Sequence, residues 1–377
     1  MAGIYLHIPF CKKRCIYCDF FSDTRLHWKQ KYLAALCEEL KMRYAELDGA
    51  PVQTLYFGGG TPSGLTAEEL NSLWETMAAL FPLSDCEEIT LEANPDDLTP
   101  AYIAMLKHTP VNRISMGVQS FDEQDLIFLN RRHTAAQAEE AFIHCREAGF
   151  GNISIDLIYG LPGQTMEGWK NNLERAVALQ PDHISAYNLI YEEGTALYRL
   201  RESGKVTECR DELALDMFDW LINRLTAAGY EHYEISNFAR PGMYSRHNTS
   251  YWQDVPYLGL GASAHSYNGT CRSWNVRDIP EYIRGISAHV FAGEKEQLSE
   301  NDKYNDMVLT ALRTRWGLDL KRLESRFGTD LKRYCLACAQ PYIESGKLSC
   351  KEEILTLTRS GLFVSDGIMA DLMKVDD

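Results

Sequence analysis

The sequence predicts an α/β fold, a partial (β/α)6 barrel followed by a small, mostly helical, winged-helix-like domain. Six short runs rich in β-branched and aromatic residues recur in the first half of the 377-residue chain, and helix-like segments separate them. Several runs are apolar throughout, which is typical of parallel strands buried on both faces. A full barrel of this type has eight such units, so six units predict an open one.

The predicted strands follow one another with room for a crossover helix between each pair. They are GIYLHI (3–8), QTLYFGG (53–59), EITLEAN (88–94), RISMGVQS (113–120), NISIDLIYG (152–160) and HISAYNLI (183–190). Apolar residues at three- and four-residue spacing predict helices over 28–47, 66–80 and 164–179. The second of these has Thr66 at its start and Glu69 three residues later, which is the pattern of a capping box.

The chain changes character at about residues 230 and 298, which divides it into three predicted domains. Residues 1–230 form the barrel. Residues 231–298 are rich in aromatic residues, Gly and Asn with poor periodicity, so we expect an irregular extension. Residues 299–377 contain two helical patterns joined at Gly317, a third helix, a hairpin and a last helix, and this order predicts the winged-helix-like domain.

Composition excludes several classes of protein. The net charge is −15, and this acidic balance argues against a general nucleic-acid binder. The sequence has no apolar run of about 18 residues, so we expect no transmembrane helix. The 11 cysteines are odd in number and no export signal precedes them, which predicts reduced thiols and a cytoplasmic protein.

Three cysteines lie within eight positions, just after the first predicted strand. Cys11, Cys15 and Cys18 form C-x3-C-x2-C. A structural zinc site needs four protein ligands, and no further pair with suitable spacing is near. Three thiolates can instead hold three irons of a [4Fe–4S] cluster and leave the fourth iron open to a ligand. The alternative is three reduced cysteines that bind nothing.

The motif resembles the cysteine signature of the radical S-adenosylmethionine (SAM) superfamily. The start YLHIPFC and the later motifs GGGTP (58–62), LEANP (91–95) and IDLIYGLPGQT (155–165) resemble one branch of it, the oxygen-independent coproporphyrinogen oxidases and the HemW-type heme chaperones. The resemblance implies a radical-SAM barrel with a [4Fe–4S] cluster whose open iron binds SAM. The positions that match SAM contacts are Tyr5, Tyr17, Gly59, Gly60, Thr61, Glu92, Gln119, Arg131, Asp156 and Ile190. Packing in the core would explain Ile190 equally well.

The segment RHNTSYW (246–252) resembles the HNxxYW motif of the heme chaperone branch. The resemblance makes His247 the first candidate for a heme ligand, because an imidazole offers an axial nitrogen and nearby aromatic rings can pack on a porphyrin. The alternative is a histidine beside core aromatic residues. His265 in GLGASAHSY is a second candidate, and there a buried histidine in a Gly-rich turn is equally expected.

The resemblance implies two alternative functions. One is a heme chaperone that binds the cluster and SAM and delivers heme to hemoproteins, membrane hemoproteins among them, with an electron donor as a further partner. The other is an oxygen-independent coproporphyrinogen III oxidase, which forms protoporphyrinogen IX by SAM-dependent radical decarboxylation. A more distant alternative is another radical SAM enzyme such as a methyltransferase.

Three features favour the chaperone. Phe20 stands where the oxidases carry a fourth cysteine, the sequence begins almost at its first strand where the oxidases have an N-terminal extension, and HNTSYW belongs to the chaperone branch. Whether the chain is an enzyme stays open, and we assign no catalytic residue.

Overall fold

A computed structural model describes residues 1–375 and confirms the six parallel strands. They are hydrogen-bonded in sequence order, so each strand is the neighbour of the next. They are β1 (Ala2–Ile8), β2 (Val52–Gly59), β3 (Glu88–Ala93), β4 (Arg113–Gln119), β5 (Ile153–Tyr159) and β6 (His183–Asn188). The arrangement is an open, partial barrel, because β1 and β6 pair with further strands and not with each other.

Helices connect these strands, and hydroxyl side chains cap several of their N-termini. The predicted capping box is present: the Thr66 hydroxyl accepts from the Glu69 amide, and the Glu69 carboxylate accepts from the Thr66 amide. The helices are α1 (Lys29–Arg43), α2 (Ala67–Leu80), α3 (Pro100–Leu106), α4 (Glu123–Phe128), α5 (Ala135–Glu147), α6 (Met166–Leu179), α7 (Ala196–Glu202) and α8 (Asp211–Ala227). The three helices predicted from spacing are all confirmed.

The segment 231–298 is more regular than its sequence predicts, because its short strands extend the barrel sheet at both edges. The elements are β7 (Glu231–Glu234), β8 (Asn237–Ala239), α9 (Arg246–Trp252), β9 (Tyr257–Leu260), β10 (His265–Tyr267), β11 (Cys271–Asn275), α10 (Ile279–Ser287) and β12 (Gly293–Gln297). The twelve-stranded sheet has the order β12-β11-β10-β9-β1-β2-β3-β4-β5-β6-β8-β7. Strands of three to five residues are too short to show a measurable periodicity, so they could not be predicted from the sequence.

The barrel strands alternate in polarity, which corrects the expectation of apolar residues on both faces. Leu55 and Leu91 belong to the main apolar core. Their neighbours Thr54 and Thr90 lie on the other face of the sheet, which faces the barrel interior, and are also buried. The interior face therefore carries buried polar side chains.

Residues 299–375 form a second, smaller core of their own. The elements are α11 (Glu300–Leu312), β13 (Leu318–Asp319), α12 (Leu320–Glu344), β14 (Leu348–Lys351), β15 (Ile354–Leu357), α13 (Arg359–Leu362) and α14 (Ser365–Leu372). Gly317, at φ +70°, turns the chain between α11 and β13, and Gly328, at φ +85°, interrupts α12. Helices with a three-stranded antiparallel sheet agree with the predicted winged-helix-like order. Within the described 375 residues, no helix is long and apolar enough to cross a bilayer.

Candidate functional site

The three cysteines lie on the loop that follows β1, at the edge where the parallel strands end. Cys11 is buried, and Cys15 and Cys18 are half-buried. Backbone hydrogen bonds fix the loop: the Cys11 amide donates to the Asp23 carbonyl at 3.0 Å and the Ile16 amide to the Leu129 carbonyl at 3.3 Å. The thiols are thus held at the mouth of the barrel, where loops of such folds carry chemistry.

Two side chains donate hydrogen bonds to the sulfurs. The Thr61 hydroxyl lies 3.4 Å from Cys11 Sγ, and Arg131 Nη1 lies 3.3 Å from Cys15 Sγ. Burial raises the pKa of the Cys11 thiol, and it raises that of Cys18 to about 11. A bound cation is what would hold these thiols as thiolates.

The thiols fit a cluster better than a single ion. All eleven cysteines are free. Across residues 1–375, no three His, Cys, Asp or Glu side chains converge as they would around one metal ion. A cubane gives each thiolate its own iron, so its ligands stand further apart than those of a mononuclear site. Hydrogen-bond donors on the sulfurs are the groups that tune the potential of such a cluster.

The glycine loop after β2 lies directly against the segment that leads into the cysteines. The Gly60 amide donates to the Ile8 carbonyl at 2.9 Å. A Cβ at Gly60 would come within 2.7 Å of the Pro9 carbonyl carbon. Gly59 has φ +108°, and a Cβ there would meet the His7 ring at 2.5 Å. Only glycine permits this approach, which leaves backbone amides and carbonyls beside the cysteine loop.

Two carboxyl groups lie close together in the upper part of the barrel, Glu92 near the end of β3 and Asp156 in the middle of β5. Glu92 Oε2 accepts from the Gly59 amide at 3.0 Å, and Oε1 accepts from the Tyr56 hydroxyl at 2.8 Å. Desolvation, with the nearby Asp156 as a smaller cause, raises the pKa of Glu92 to about 7. Desolvation also raises the pKa of Asp156 to about 6. A cationic or hydroxyl-bearing ligand would stabilise the ionised form of both.

Arg131 joins the cysteine loop to the ends of β3 and β4. Its Nη2 donates to the Asn94 side-chain oxygen and to the Gly117 carbonyl, each at 2.6 Å. Gln119 has φ +67° and follows a β-bulge in β4. A Cβ at Gly117 would lie 2.8 Å from Gln119 Nε2 and 3.2 Å from Arg131 Nη2, so both side chains cover the same glycine.

The aromatic and aliphatic positions have three different environments. The Tyr5 hydroxyl lies 3.0 Å from His7 Nδ1, and its ring stacks near Tyr56 with centroids 6.0 Å apart. Tyr17 packs against a small apolar cluster at the ends of β5 and β6, and burial raises the pKa of its phenol. Ile190 is 63% exposed just beyond β6, so the alternative of core packing is wrong for this residue.

The structure brings most of the predicted residues to one edge of the sheet. Three further residues that the sequence did not single out belong there: His7, Tyr56 and Asn94. The signal for Asn94 was available, because it follows Glu92 by two positions and so shares its face at the strand end. The residues at that edge or on the loops beyond it are Cys11, Cys15, Cys18, Tyr17, Gly59, Gly60, Thr61, Glu92, Gln119, Arg131 and Ile190, whereas Tyr5 and Asp156 lie in the middle of β1 and β5.

His247 is the exception, because it lies deeper in the barrel, where its ring stacks on that of Tyr56 with centroids 5.1 Å apart. It is 1% exposed, and its ring approaches Gly3 and Thr54, near the starts of β1 and β2. Nδ1 is 2.8 Å from the Thr54 hydroxyl and Nε2 is 2.7 Å from the Tyr251 hydroxyl. Neither nitrogen is open to a metal in this arrangement. The structure gives no support to His247 as a heme ligand, and that assignment stays a prediction.

Helix α9, which carries HNTSYW, acts as a plug for the lower end of the barrel. The amides of Arg246 and His247 donate to the Glu88 carboxylate at 2.9 and 3.0 Å, so the start of β3 caps the helix. At its other end, the Trp252 ring lies under the Arg313 guanidinium of the C-terminal domain at 5.2 Å. The motif therefore links the barrel interior to that domain.

Comparison with known proteins agrees with this geometry. The family model of the radical SAM superfamily matches residues 5–176, and that of the HemN C-terminal domain matches residues 298–364. The Heme chaperone HemW of Bacillus subtilis (strain 168) is 34% identical over 98% of both chains, and that of Lactococcus lactis subsp. lactis (strain IL1403) is 36% identical over 85% of this chain and 84% of its own. This chain belongs to the HemW family.

Membership of the HemW family has two direct consequences. As a radical SAM protein, the chain belongs to a superfamily that binds a [4Fe–4S] cluster and SAM, and the loop of three thiols suits that cluster. Its fold is also that of a solved structure, the coproporphyrinogen III oxidase (HemN) from Escherichia coli. The TM-score is 0.87 at 26% identity, over 99% of this chain and 90% of the oxidase. The fold is thus common to a heme chaperone and an oxidase.

Proposed function

We propose that this chain is a heme chaperone that binds heme and delivers it to hemoproteins, with a [4Fe–4S] cluster and SAM bound at the mouth of the barrel. The observation that carries the proposal is the similarity to Heme chaperone HemW of Bacillus subtilis over 98% of both chains. The C-terminal domain is included in that match, so the similarity is not confined to the cofactor-binding barrel.

In this proposal the cysteine loop holds the cluster through Cys11, Cys15 and Cys18. The bound cluster supplies an open iron for SAM and an electron-transfer centre. Thr61 and Arg131 donate hydrogen bonds to two of the sulfurs, which favours the thiolate and fixes the loop. The interior below the cluster carries buried polar side chains such as Thr54 and Thr90, whereas Phe20 exposes an apolar ring at the rim.

The remaining residues at the mouth would bind SAM. The backbone of Gly59 and Gly60 offers amides and carbonyls to its polar end. Glu92 and Asp156 would accept from its ammonium or ribose hydroxyls, and these donors would offset the desolvation that raises the pKa of both carboxyls. Side chains of the same rim would cover the rest of the ligand: Tyr5, Tyr17, Thr61, Gln119, Arg131 and Ile190.

A second candidate function is that of coproporphyrinogen III oxidase, favoured by the TM-score of 0.87 to the oxidase from Escherichia coli. Identity with that protein is 26%, against 34–36% with the heme chaperones. Phe20, at the position of the oxidases' fourth cysteine, is 70% exposed at the rim. An exposed phenyl ring offers packing to a porphyrin and no sulfur chemistry, so heme binding is the better proposal.

One paired assay on the same anaerobically reconstituted sample separates the two functions. Hemin is titrated in and the Soret band followed, and coproporphyrinogen III is incubated with SAM and a reductant. We expect hemin binding without formation of protoporphyrinogen IX. Conversion of coproporphyrinogen without hemin binding would refute the chaperone. Cys15→Ser is the control for the cluster, and it should remove the broad cluster absorbance.

Delivery to a hemoprotein is tested by transfer. Hemin-loaded protein is mixed with an apo-hemoprotein, and the spectrum of the acceptor is followed with and without a reductant as electron donor. Transfer to acceptors in detergent or vesicles, compared with soluble ones, tests whether membrane hemoproteins are partners. Loss of hemin to albumin at the same rate as to the acceptor would argue for passive release.

A further inference from the structure

His265, at the start of β10, is an exposed imidazole with both ring nitrogens free. It makes no hydrogen bond or ion pair with any residue of the described chain, and its only close ring contact is with Trp274. The alternative expected from the sequence, a buried histidine in a Gly-rich turn, is wrong. A free imidazole within a structured strand is available to a ligand.

Strand register puts His265 on the same face as the barrel interior. Tyr257 of β9 pairs with Tyr267 of β10, and His265 precedes Tyr267 by two residues and so shares its face. Tyr257 in turn packs on Tyr251 of the plug helix α9, with ring centroids 4.6 Å apart. His265 therefore projects from the concave side of the sheet, three strands from β2 and its glycine loop.

Two arginines place His265 between the cysteine loop and the C-terminal domain. Arg277 lies near both His265 and His7, and its Nη2 donates to the Asp19 carbonyl at 3.3 Å. Asp19 directly follows Cys18. Arg272 forms an ion pair with Asp306 of helix α11, and its charge also lies close enough to His265 to lower the pKa of that imidazole. The imidazole thus lies between the two arginines, and we call the strip of surface that carries Arg277, His265 and Arg272 the lane.

Trp274 fixes the orientation of the imidazole. The two rings stack with centroids 6.0 Å apart and an interplanar angle of 28°. The Fe–N bond of a histidine-ligated heme lies in the imidazole plane. A porphyrin bound here would therefore lie roughly perpendicular to both the imidazole and the indole rings, with the edge of the indole toward it. Partial desolvation and the two arginines lower the pKa of His265, which favours the neutral imidazole with one nitrogen lone pair available to iron.

We propose that His265 is an axial ligand of the heme iron, that Trp274 holds its ring in position, and that Arg277 pairs with a heme propionate. The inference rests on the proposed heme-chaperone function and gives it a site. Phe20, exposed one residue beyond Asp19, lies at the cysteine-loop end of the same lane and offers a ring to the porphyrin. Heme would then sit beside the cluster loop, away from the buried His247.

The test is a hemin titration of the full, cluster-reconstituted chain and three variants. His265→Ala should weaken hemin binding at least tenfold and abolish the histidine-ligated Soret and EPR signals. His265→Cys should keep hemin but move the Soret band to that of a thiolate complex. His108→Ala, an exposed histidine at the end of α3, is the matched control and should bind as the parent does.

A second ligand tests the propionate contact. Arg277→Ala should weaken hemin several-fold and leave the affinity for hemin dimethyl ester, which has no free propionates, unchanged. Iron and sulfide content of each variant should equal that of the parent, which verifies the fold around the cluster. If the parent binds no hemin, the proposed function itself fails. If it binds hemin and both His265 variants retain its affinity and spectrum, the site is refuted and the chaperone function stands.

Discussion

Replacing Glu92 with glutamine should change how stability depends on pH. Desolvation raises the pKa of this carboxyl from an ordinary value near 4.5 to about 7 in the folded chain. Below about pH 4.5 the carboxyl is protonated in both the folded and the unfolded state. As pH rises toward 7, only the unfolded state ionises freely, so the free energy of unfolding falls. Glutamine does not titrate, so Glu92→Gln should abolish this loss.

The size of the effect follows from the shift. About 2.5 pKa units at ~1.4 kcal/mol each would give roughly 3 kcal/mol for a fully desolvated group. Glu92 lies at the partly open mouth, so solvent screening reduces this to about 1–3 kcal/mol. The difference in unfolding free energy, variant minus parent, should therefore rise by about 1–3 kcal/mol between roughly pH 5 and 8.

Urea unfolding of the cluster-free, reduced chain at about four pH values over this range measures that difference, and the comparison with the parent cancels the other titrating groups. Tyr56→Phe is the matched control. It keeps the carboxyl but removes a hydrogen bond that lowers the pKa of Glu92, so its pH dependence should persist and move to higher pH. A Glu92→Gln difference that stays flat across the range would refute the assignment of a raised pKa.

Three further predictions concern the loop, the domain contact and the plug. Gly60→Ala should lose bound iron and about 1–3 kcal/mol of stability because its Cβ meets backbone at 2.7 Å, whereas Gly64→Ala, with nothing within 4 Å, should match the parent in iron content and melting temperature. Glu234→Gln should cost about 2–4 kcal/mol in urea unfolding, because the buried carboxylate accepts two hydrogen bonds from Arg313; an unchanged midpoint would contradict this. His247→Ala should lower the free energy of unfolding by about 2–4 kcal/mol, because it leaves the buried hydroxyls of Thr54 and Tyr251 unpaired. The hemin spectrum should stay unchanged. Loss of that spectrum at full cluster content would show that His247 is a heme ligand.

Much of the barrel could be predicted because each strand signal is local. A run such as 3–8 is rich enough in apolar and β-branched residues to be recognised alone, and a cap such as Thr66 with Glu69 marks a helix start within four residues. The strands of 231–297 could not be found in this way, because they contain three to five residues and gain their stability from edges supplied by distant strands. Their formation is decided by tertiary pairing and not by propensity.

The same distinction applies to the site. The proximity of Glu92 and the cysteine loop could be predicted, because parallel strands bring their carboxyl ends to one edge whatever the details of packing; that Glu92 binds SAM stays a prediction. No comparable rule predicts from the sequence whether a histidine side chain is buried or exposed. His247 and His265 have similar aromatic neighbours in sequence, yet one lies fully buried between two hydroxyls and the other is exposed. Only the path of the chain around the barrel separates them.

The polarity of the barrel explains why a heme lane belongs at the rim and not in the interior. Below the mouth, the buried groups include Glu88, Arg113 and His183, and the plug helix closes the lower end. Glu88 already pairs with Arg113 and with α9, so an apolar macrocycle could enter only by breaking buried polar contacts, which costs several kcal/mol. At the rim, Phe20 already exposes its apolar ring to water, so a porphyrin would cover surface that solvation disfavours. SAM suits the interior edge and heme the rim, and one chain can hold both without competition.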